Sequence, residues 1–477
     1  MTTLAPPAIR YEGRAWSSEE TRARAASWHA HLRRVVAPDP PLIAMPMANR
    51  PESVALFFAL SALSAPLVLL SEDPRSWRSS PAIPPGTPLI LSPAQSGLAG
   101  PALRQGLRPE IVPEDDGEPR PPGDRPAFFS LPGIVFLTSG TTGAPKPAYR
   151  KVASVIQSAR MTSEMQDVPR GAGVIGVLPL STNYGFLSSL ALSTVLGGSL
   201  ALVERFDHRS VLALFASREY DFFACTPLMA DILGRCPLDA PPPPAPRVVI
   251  SSAGQLPPAV RRAFTARFGV EPRVTYGSTE GGLISAVRPG DPEAPDGVGR
   301  PAPGVELRIG DDPRRPVRAG TSGRVWYSSP WYMEGYGFPP DLEPRGDLDG
   351  WFPTGDLGVV DAEGGLTLLG RSDECFKTHS GHLVNPAEVA IALRSYPAVL
   401  DAAVVPVAGS LGAAIGAVME ADGQLDVASL RSHAARLLPP WAQPQVMVTI
   451  PALPRMTSGK IDRTACIKLL EAGARPD

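Results

Sequence analysis

The sequence predicts an α/β protein with a large N-terminal domain of parallel-rich sheets, helices and a small β-barrel-like part, and a small α+β domain at the C-terminus. Three observations support this prediction. The chain has 477 residues, more than a single compact core organises. From about residue 130, short apolar strands alternate with amphipathic segments, which is typical of parallel sheets covered on both faces. Beyond about residue 300, the apolar segments are spaced as in hairpins.

The alternating region provides most of the predicted elements. Its apolar runs predict strands over residues 134–137, 174–178, 199–203, 222–224 and 247–250. The intervening segments predict helices over residues 153–165, 185–196, 209–218, 228–233 and 257–268. Ligand sites in such sheets follow the strands, so the turns after these strands are the first places to search for chemistry.

The region after residue 371 has its own α+β pattern. It predicts helices near residues 386–395 and 427–437, and strands over 402–408, 413–420 and 446–450. Just before this region, a hairpin is predicted around residues 361–365. We therefore place the domain boundary between residues 370 and 371, which gives domains 1–370 and 371–477.

The apolar run at residues 54–70 predicts a buried helix followed by a strand. Ser61, Ser64 and Pro66 interrupt it, which argues against a membrane span. The N-terminal residues lack a basic region followed by an apolar stretch, so we expect a cytoplasmic protein without a secretory signal.

Charge and cysteine content narrow the classes of partner. The net charge is −2, and no dense run of Lys or Arg is present, so we expect neither a nucleic-acid nor a membrane partner but a small molecule. The four cysteines are scattered and the six histidines show no metal-ligand spacing, which predicts reduced thiols. Monomer and homodimer both remain open.

A Ser/Thr/Gly-rich loop at residues 138–146 is the strongest local sign of chemistry. Its glycines allow backbone N–H groups to turn toward an anion, its hydroxyls add donors, and its lysine brings positive charge. The loop does not have the GxxxxGK[ST] spacing of P-loop nucleotidases. We predict phosphate contacts from Thr138, Ser139, Gly140, Thr141, Thr142, Gly143 and Lys146.

With this loop, the sequence resembles the adenylate-forming superfamily of acyl-CoA synthetases, peptide-synthetase adenylation domains and luciferases. The resemblance implies further motifs in a fixed order. The segment Ser-Ser-Ala-Gly-Gln-Leu at 251–256 resembles the glycine loop on the adenine side, which implies contacts from Ala253, Gly254 and Gln255.

The next motif is Tyr-Gly-Ser-Thr-Glu at residues 276–280. It offers an aromatic face for a purine, a hydroxyl for a phosphate and a carboxylate for Mg²⁺ within five residues. The resemblance implies that Tyr276 stacks on adenine beside Gly277, that Thr279 contacts the phosphate and that Glu280 holds the metal.

Four later positions have further roles that the resemblance implies. Asp356, in Trp-Phe-Pro-Thr-Gly-Asp, would accept hydrogen bonds from the ribose hydroxyls, and Arg371 would accompany it. Asp373 would be the hinge of a mobile C-terminal domain that rotates between two half-reactions. Lys460, in Pro-Arg-Met-Thr-Ser-Gly-Lys-Ile-Asp-Arg at 454–463, is the predicted catalytic residue.

The acid pocket is predicted from residues 180–186, where Thr182 replaces the family's usual histidine. Asn183, Tyr184 and Ser188 look like the pocket of ligases for salicylate and dihydroxybenzoate, in which the asparagine meets a ring hydroxyl. We assign Gly277 and Gly281 to the same pocket and expect an aryl acid. A fatty or other alkyl acid is the alternative, and Asn183 could instead satisfy backbone groups.

The predicted reaction is ATP-dependent formation of an acyl-adenylate with release of pyrophosphate, followed by transfer to the thiol of CoA or of a phosphopantetheinyl carrier protein. The loop expected to face the thiol contains Lys377 and Gly381, which three residues separate instead of the usual two. An alternative of another class is a catalytically silent nucleotide-binding protein, which we would expect to have lost Lys460, Glu280 or Asp356.

Overall fold

The computed structural model describes residues 4–37, 40–78, 83–114, 129–138, 145–238, 241–291, 297–344, 346–378, 382–409, 412–421, 425–455 and 461–473. These residues form a large part with two extended sheets and a smaller sheet, followed by a small α+β part. The predicted α/β class with a large N-terminal and a small C-terminal domain is confirmed.

The elements are named in chain order. The strands of the described residues are β1 (Ala8–Tyr11), β2 (Arg14–Trp16), β3 (Ile43–Pro46), β4 (Leu67–Leu70), β5 (Pro88–Leu91), β6 (Arg108–Ile111), β7 (Gly133–Leu137), β8 (Pro147–Lys151), β9 (Val174–Gly176), β10 (Ser199–Leu202), β11 (Phe222–Cys225), β12 (Val248–Ser251), β13 (Arg273–Ser278), β14 (Gly282–Ala286), β15 (Arg300–Pro301), β16 (Glu306–Ile309), β17 (Gly323–Ser328), β18 (Gly335–Phe338), β19 (Asp341–Glu343), β20 (Phe352–Val360), β21 (Leu366–Arg371), β22 (Phe376–Lys377), β23 (Leu383–Val384), β24 (Asp401–Gly409), β25 (Gly412–Glu420) and β26 (Val446–Ile450). The α-helices of the same residues are α1 (Ser18–Val35), α2 (Pro51–Ser61), α3 (Pro74–Arg78), α4 (Ala99–Arg104), α5 (Val152–Met165), α6 (Asn183–Gly185), α7 (Leu192–Leu196), α8 (His208–Ser217), α9 (Pro227–Arg235), α10 (Pro258–Phe268), α11 (Pro386–Arg394), α12 (Val427–Leu437) and α13 (Arg463–Gly473).

The first sheet has the strand order β15-β14-β13-β12-β11-β9-β10-β1-β2 in the described ranges. Its centre, from β13 to β1, is parallel, and both edges end in antiparallel pairs. The central strands are short and fully buried, as in β11 and β12. The predicted parallel-rich arrangement is therefore confirmed for this sheet.

The second sheet has the order β19-β18-β8-β7-β4-β3-β5-β6. Strands β7, β4, β3, β5 and β6 run parallel, whereas β8, β18 and β19 are added antiparallel. One apolar core includes side chains of both large sheets together with α2, α5 and α7. The rings of Phe57 in α2 and Phe186, in the π-helical turn before α7, lie 5.1 Å apart within it.

Helix α2 and strand β4 confirm the buried helix and strand predicted for residues 54–70. The helix begins with Pro51, which needs no backbone N–H partner in the first turn. All residues from Ser53 to Ser61 are buried, so this segment is part of the protein core. No helix among the described residues is long and apolar enough to cross a membrane.

The third sheet occupies the region predicted to be β-barrel-like, and in the described residues it is an open sheet and not a closed barrel. Within the described ranges it consists of β16, β17, β20 and β21 in antiparallel order. The predicted hairpin joins β20 to β21, and Asp361 fixes its turn by accepting hydrogen bonds from the backbone N–H groups of Glu363 and Gly365. This hairpin positions Asp356 and Arg371 opposite each other.

The small C-terminal part contains the sheet β24-β25-β26, the short pair β22 and β23, and helices α11 to α13. Its buried apolar clusters draw on residues from Val384 onward, whereas those of the large part end at Leu366. This separation supports the boundary between 370 and 371, which stays a prediction. The two parts touch where Arg235 of α9 lies 3.7 Å from the carboxylate of Glu420.

Candidate active site

The stem of the predicted phosphate loop joins β7 to β8. The backbone N–H of Thr138 donates to the carbonyl of Lys146 at 2.8 Å, and the N–H of Lys146 donates to the Thr138 hydroxyl at 3.1 Å. These bonds close the loop at its base. Most of its predicted phosphate-binding residues lie outside the described residues: Ser139, Gly140, Thr141, Thr142 and Gly143.

Tyr336 links this stem to the predicted metal-binding residue. The ammonium of Lys146 lies 5.4 Å from the centre of the Tyr336 ring, and the Tyr336 hydroxyl donates to Glu280 Oε1 at 2.9 Å. Burial, with the negative charge of Glu280, raises the pKa of Tyr336 above its ordinary value, so its hydroxyl keeps its proton. Thr279 lies beside Glu280, partly exposed. The sequence analysis missed Tyr336, because only the fold brings β18 next to this segment.

Glu280 has the chemistry expected for Mg²⁺ that is shared with phosphates. It is a partly exposed carboxylate that accepts from the Tyr336 hydroxyl, and Lys146 lies over the ring of the same tyrosine. No group of three or more His, Cys, Asp or Glu side chains able to hold a metal is present in the described ranges. A single carboxylate fits Mg²⁺, which commonly binds through one or two carboxylates plus substrate phosphates and water.

Tyr276, Asp356 and Arg371 meet as predicted for an adenine and ribose site. The Tyr276 hydroxyl donates to Asp356 Oδ2, and Arg371 donates to Asp356 Oδ1 at 3.1 Å. Burial raises the pKa of Asp356 above its ordinary value, and the hydrogen bonds from Tyr276 and Arg371 oppose this effect. Gly355 has φ +77°, and a Cβ there would lie 2.7 Å from the Arg371 guanidinium, so the close approach of Arg371 requires glycine.

The glycine loop at 253–255 lies at the carboxyl end of β12, next to the end of β13. Strands β12 and β13 are parallel, with Ser251 opposite Val274, so the turn after β12 lies beside Tyr276. Ser252 fixes the turn by donating to the carbonyl of Thr275 at 2.7 Å. Ala253, Gly254 and Gln255 are exposed, and Ala253 has φ +66°. The structure thus brings the predicted adenine-side residues together.

The predicted acid pocket is only partly supported by contacts. Ser188 is buried, and its hydroxyl donates to the Tyr184 carbonyl one turn earlier. The Tyr184 hydroxyl donates to the carbonyl of Cys225 at 3.1 Å. In both bonds the side chain donates to a backbone carbonyl, so these bonds can be explained by the fold without a ligand.

Asn183, Gly277 and Gly281 lie around the segment that follows β13. The Asn183 amide nitrogen donates to the Ser278 carbonyl at 3.1 Å. A Cβ on Gly277 would lie 2.2 Å from the Gly282 carbonyl oxygen, and one on Gly281 would lie 2.8 Å from the Tyr327 hydroxyl. Both glycines are therefore required by close packing, whatever they contact in a ligand.

Arg150 is a buried cation beside Asn183 that the sequence analysis missed. Its side chain is fully buried, and it donates from Nη1 to Asn183 Oδ1 at 3.0 Å. Its Nη2 donates to the Ser158 hydroxyl at 3.0 Å, to the Trp331 carbonyl at 3.1 Å and to the Ser154 carbonyl at 3.3 Å. We call these five residues the Arg150 cluster. A charged residue inside the buried strand β8 was the available signal.

The segment with the predicted catalytic lysine is anchored at both ends. Lys460 itself, with residues 456–459, lies outside the described residues. Arg455 pairs with Ile461 across this gap, and the N–H of Asp462 donates to the Pro454 carbonyl at 2.8 Å. The described residues on the two sides of Lys460 are therefore held next to each other.

A second cluster of buried charges supports that base. Asp401 accepts from Arg455 at 2.7 Å and lies 3.6 Å from Arg394. Glu420, opposite Asp401 on β25, accepts from the N–H of Leu453 at 3.0 Å. Burial raises the pKa of Glu420 above its ordinary value. We call Arg394, Asp401, Glu420 and Arg455 the Asp401 cluster.

The hinge and thiol-loop positions lie at the start of the C-terminal part. Asp373 is exposed and accepts from Arg371 Nε at 3.2 Å. Lys377 is exposed and pairs with Leu383, whereas Gly381 lies outside the described residues. His382 stacks on Trp441 with 4.8 Å between ring centres. The hinge and thiol-loop roles stay predictions.

Comparisons with known proteins give matches in both parts of the chain. The family model of the AMP-binding enzyme matches residues 132–337, and that of the AMP-binding enzyme C-terminal domain matches residues 388–460. A sulfoacetate–CoA ligase of Cupriavidus necator is 31% identical over 75% of this chain and 69% of its own length. A probable 2-succinylbenzoate–CoA ligase of Mycobacterium tuberculosis is 32% identical over 70% of this chain and 84% of its own.

Among solved structures, the ATP-bound MatB of Rhodopseudomonas palustris has the same fold. It matches with a TM-score of 0.80 and 21% identity, over 98% of this chain and 96% of MatB. At this identity, the likeness concerns the fold.

Proposed function

This chain belongs to the AMP-binding enzyme family of acid–thiol ligases, and on that premise we propose that it activates an aryl carboxylic acid with ATP and transfers the acyl group to a thiol. The first step forms an acyl-adenylate and releases pyrophosphate. The second step forms a thioester and releases AMP.

The observation that best supports this proposal is that the two ends of residues 276–280 contact different sets of side chains. At one end, Tyr276 belongs to the set with Asp356 and Arg371; at the other, Glu280 joins Tyr336 and Lys146. The first set suits a base and a sugar, and the second suits phosphates with their metal ion. A nucleoside triphosphate has these groups in the same order.

Asp356 keeps capacity for a ligand although two side chains already contact it. Each carboxylate oxygen can accept two hydrogen bonds, and the described contacts of Asp356 include one donor on each oxygen. Two vicinal hydroxyls could therefore bind to the remaining positions. The MatB structure that shares this fold is described as ATP-bound, which supports ATP as the nucleotide.

The chemical step needs charge stabilisation and alignment more than proton transfer. A carboxylate is already ionised at neutral pH, so it can attack the α-phosphorus without a general base. The barrier arises from bringing anions together, and Lys146 and Lys460 would supply positive charge at the triphosphate. A well-placed donor of this kind commonly contributes about 3 kcal/mol to transition-state stabilisation. Mg²⁺ held by Glu280 would supply further positive charge at the phosphates when bound.

The acyl acceptor is proposed to be the thiol of CoA or of a phosphopantetheinyl carrier protein. The two curated relatives are CoA ligases by name, which favours CoA. The unusual spacing between Lys377 and Gly381 affects this second step and leaves the adenylation residues unchanged.

The acid is proposed to be an aryl acid, with an alkyl acid as the second candidate. One relative is named for 2-succinylbenzoate, which carries an aromatic ring, and the other for sulfoacetate, which does not. The position of Asn183 beside the 276–282 segment favours a ring substituent that can form a hydrogen bond.

One assay separates these alternatives. We would measure pyrophosphate release with ATP across benzoates, aliphatic acids and amino acids, and then AMP formation with CoA, with a pantetheinylated carrier and with neither. We expect acid-dependent pyrophosphate release that is largest with an aryl acid, and AMP formation that a thiol accelerates. ATP binding without pyrophosphate release for any acid would instead identify a silent nucleotide-binding protein.

A further inference from the structure

Arg150 is a buried cation that has no carboxylate within ion-pair distance among the described residues. It is fully buried, and the ion pairs of the described residues do not include it. Burial lowers the pKa of Arg150 to about 10, so the guanidinium is still protonated at neutral pH. An isolated buried charge is costly, and proteins usually pair it with an opposite charge.

All the acceptors that hold Arg150 are neutral. They are the side-chain oxygens of Asn183 and Ser158 and two backbone carbonyls, and its Nε has no partner among the described residues. These acceptors belong to α5, to α6 and to the turn before β18. The guanidinium thus connects three segments around the predicted acid pocket, and the negative charge of Glu280 acts on it without forming an ion pair.

Arg150 determines which way the Asn183 amide faces. A guanidinium only donates hydrogen bonds, so it requires the amide oxygen of Asn183 on its side. The amide nitrogen then donates to the Ser278 carbonyl with one of its two hydrogens. Among the described residues, the second hydrogen has no acceptor and can serve as a donor.

Asn183 is the more exposed member of this pair. Asn183 retains 8% exposure, whereas Arg150 has 0%. A substrate would therefore meet an amide N–H donor that is polarised by a cation 3.0 Å behind the amide oxygen. Such a donor favours an acceptor oxygen, and most of all a negatively charged one.

We infer that Arg150, acting through Asn183 as a positioning residue, makes the acid pocket selective for acids that carry an acceptor or anionic oxygen substituent in addition to the activated carboxyl. This inference rests on the proposed function. It predicts that a substituent able only to donate, such as an ammonium group, is disfavoured at the same position, because it would face a donor and a positive charge.

The test compares acids of similar shape that differ at one substituent. The aryl set is 2-hydroxybenzoate, 2-aminobenzoate and benzoate; the alkyl set is sulfoacetate, β-alanine and butyrate. For each acid, kcat/KM is measured from AMP formation with saturating ATP and CoA. In the wild-type protein we expect the oxygen-substituted member of the preferred set to exceed the amino member by about tenfold or more, the usual effect of one well-made hydrogen bond.

Three variants then isolate the role of Arg150. Arg150→Met removes the cation, and we expect the oxygen-to-amino ratio to fall toward one, through KM for the acid more than through kcat. Arg150→Lys keeps the charge without the planar fork and should retain part of the ratio. Asn183→Asp presents only acceptors at this position. It should therefore reverse the ratio in favour of the amino-substituted acid. Arg160→Met on the exposed face of α5 is the matched control and should leave the ratio unchanged.

The ratio is taken within one preparation, so a variant that is partly unfolded still gives a valid answer. A structural role alone would lower both acids equally and leave the ratio intact; that result, or a wild-type ratio near one, would overturn the inference while the proposed function stands. If the wild-type protein activates none of the acids, both fail together.

Discussion

The Arg150 cluster and the Asp401 cluster bury arginines in opposite ways. In the C-terminal part, Arg455 and Arg394 lie 2.7 Å and 3.6 Å from the two oxygens of Asp401. In the N-terminal part, Arg150 contacts neutral oxygens, and no carboxylate pairs with it among the described residues. The first cluster balances its charge internally, and the second does not.

The difference separates anchoring from recognition. Balanced buried charges hold two strands and the base of the Lys460 segment in one geometry, and a ligand would have nothing to add to them. A buried cation without an ion-pair partner can still interact with a negative or acceptor group of a ligand. We therefore expect the Asp401 cluster to have a structural role and the Arg150 cluster a substrate-related one.

The largest effect should come from Lys460, the predicted catalytic residue. Lys460→Ala should lower acid-dependent exchange of pyrophosphate into ATP by about 100-fold or more, the scale for loss of one transition-state donor. Thermal unfolding should be unchanged, because the cluster itself is intact. The exposed Lys468→Ala on α13 is the control and should exchange at the wild-type rate. Full-rate exchange by Lys460→Ala would remove this residue from the mechanism.

The second effect should be on stability. Asp401→Asn keeps the size of the side chain but leaves Arg394 and Arg455 without their carboxylate, which typically costs about 3 kcal/mol. Hydrogen–deuterium exchange measured by mass spectrometry should show faster exchange in β24 and β25, with the two large sheets unaffected.

Glu471→Gln, at an exposed position of α13, is the control for that measurement. If β24 and β25 exchanged no faster in Asp401→Asn than in this control, Asp401 would not anchor the C-terminal part. The structural role of the Asp401 cluster would then be contradicted.

Asp356 tests whether pairing with arginine always means anchoring. It pairs with Arg371 yet retains acceptor positions, so Asp356→Asn should raise KM for ATP about tenfold, consistent with loss of charged hydrogen bonds. The KM for the acid should change little. Steady-state kinetics with each substrate varied would show this, and Asp341→Asn, at an exposed position of β19, provides the control. Equal changes in both KM values would contradict a nucleotide role.

The smallest effect should come from Glu420. Burial raises its pKa above the ordinary value near 4.5, so the folded protein binds the proton more tightly than the unfolded chain. Stability should therefore fall as pH rises from the ordinary pKa through the raised one. Glu420→Gln removes this dependence, so its stability relative to wild type should be greater at pH 7 than at pH 4.5. The urea concentration at which β24 and β25 lose protection from hydrogen exchange is measured for both proteins at both pH values. The same difference between variant and wild type at the two pH values would contradict this prediction.

The hydrophobic pattern of the sequence was sufficient to predict elements that are defined by their own residues. Helix α12 and strand β26 match their predicted bounds, and α11 ends one residue earlier than predicted. The pairing of β1 with β10 was not predicted, because it joins segments some 190 residues apart and Ala8–Tyr11 mixes exposed and buried positions. Such pairings depend on the completed sheet.

The same distinction holds for the site. Tyr276, Asp356 and Arg371 were identified from motifs, and the structure brings them into contact. Arg150 and Tyr336 lie outside those motifs, and their contacts with Asn183 and Glu280 cross 33 and 56 residues of chain. Their importance follows from burial and neighbours, which a motif does not specify.

The stacking of His382 on Trp441 gives the C-terminal part an optical signal of its own. Trp441 is the last of the seven tryptophans and lies 90 residues after Trp351. It is 45% exposed, whereas Trp16, Trp28, Trp77, Trp326 and Trp351 are buried. A soluble quencher of indole fluorescence should therefore reach Trp441 before those five. Its emission would then report on the surroundings of His382, without a label, when ATP, an acid and a thiol are added.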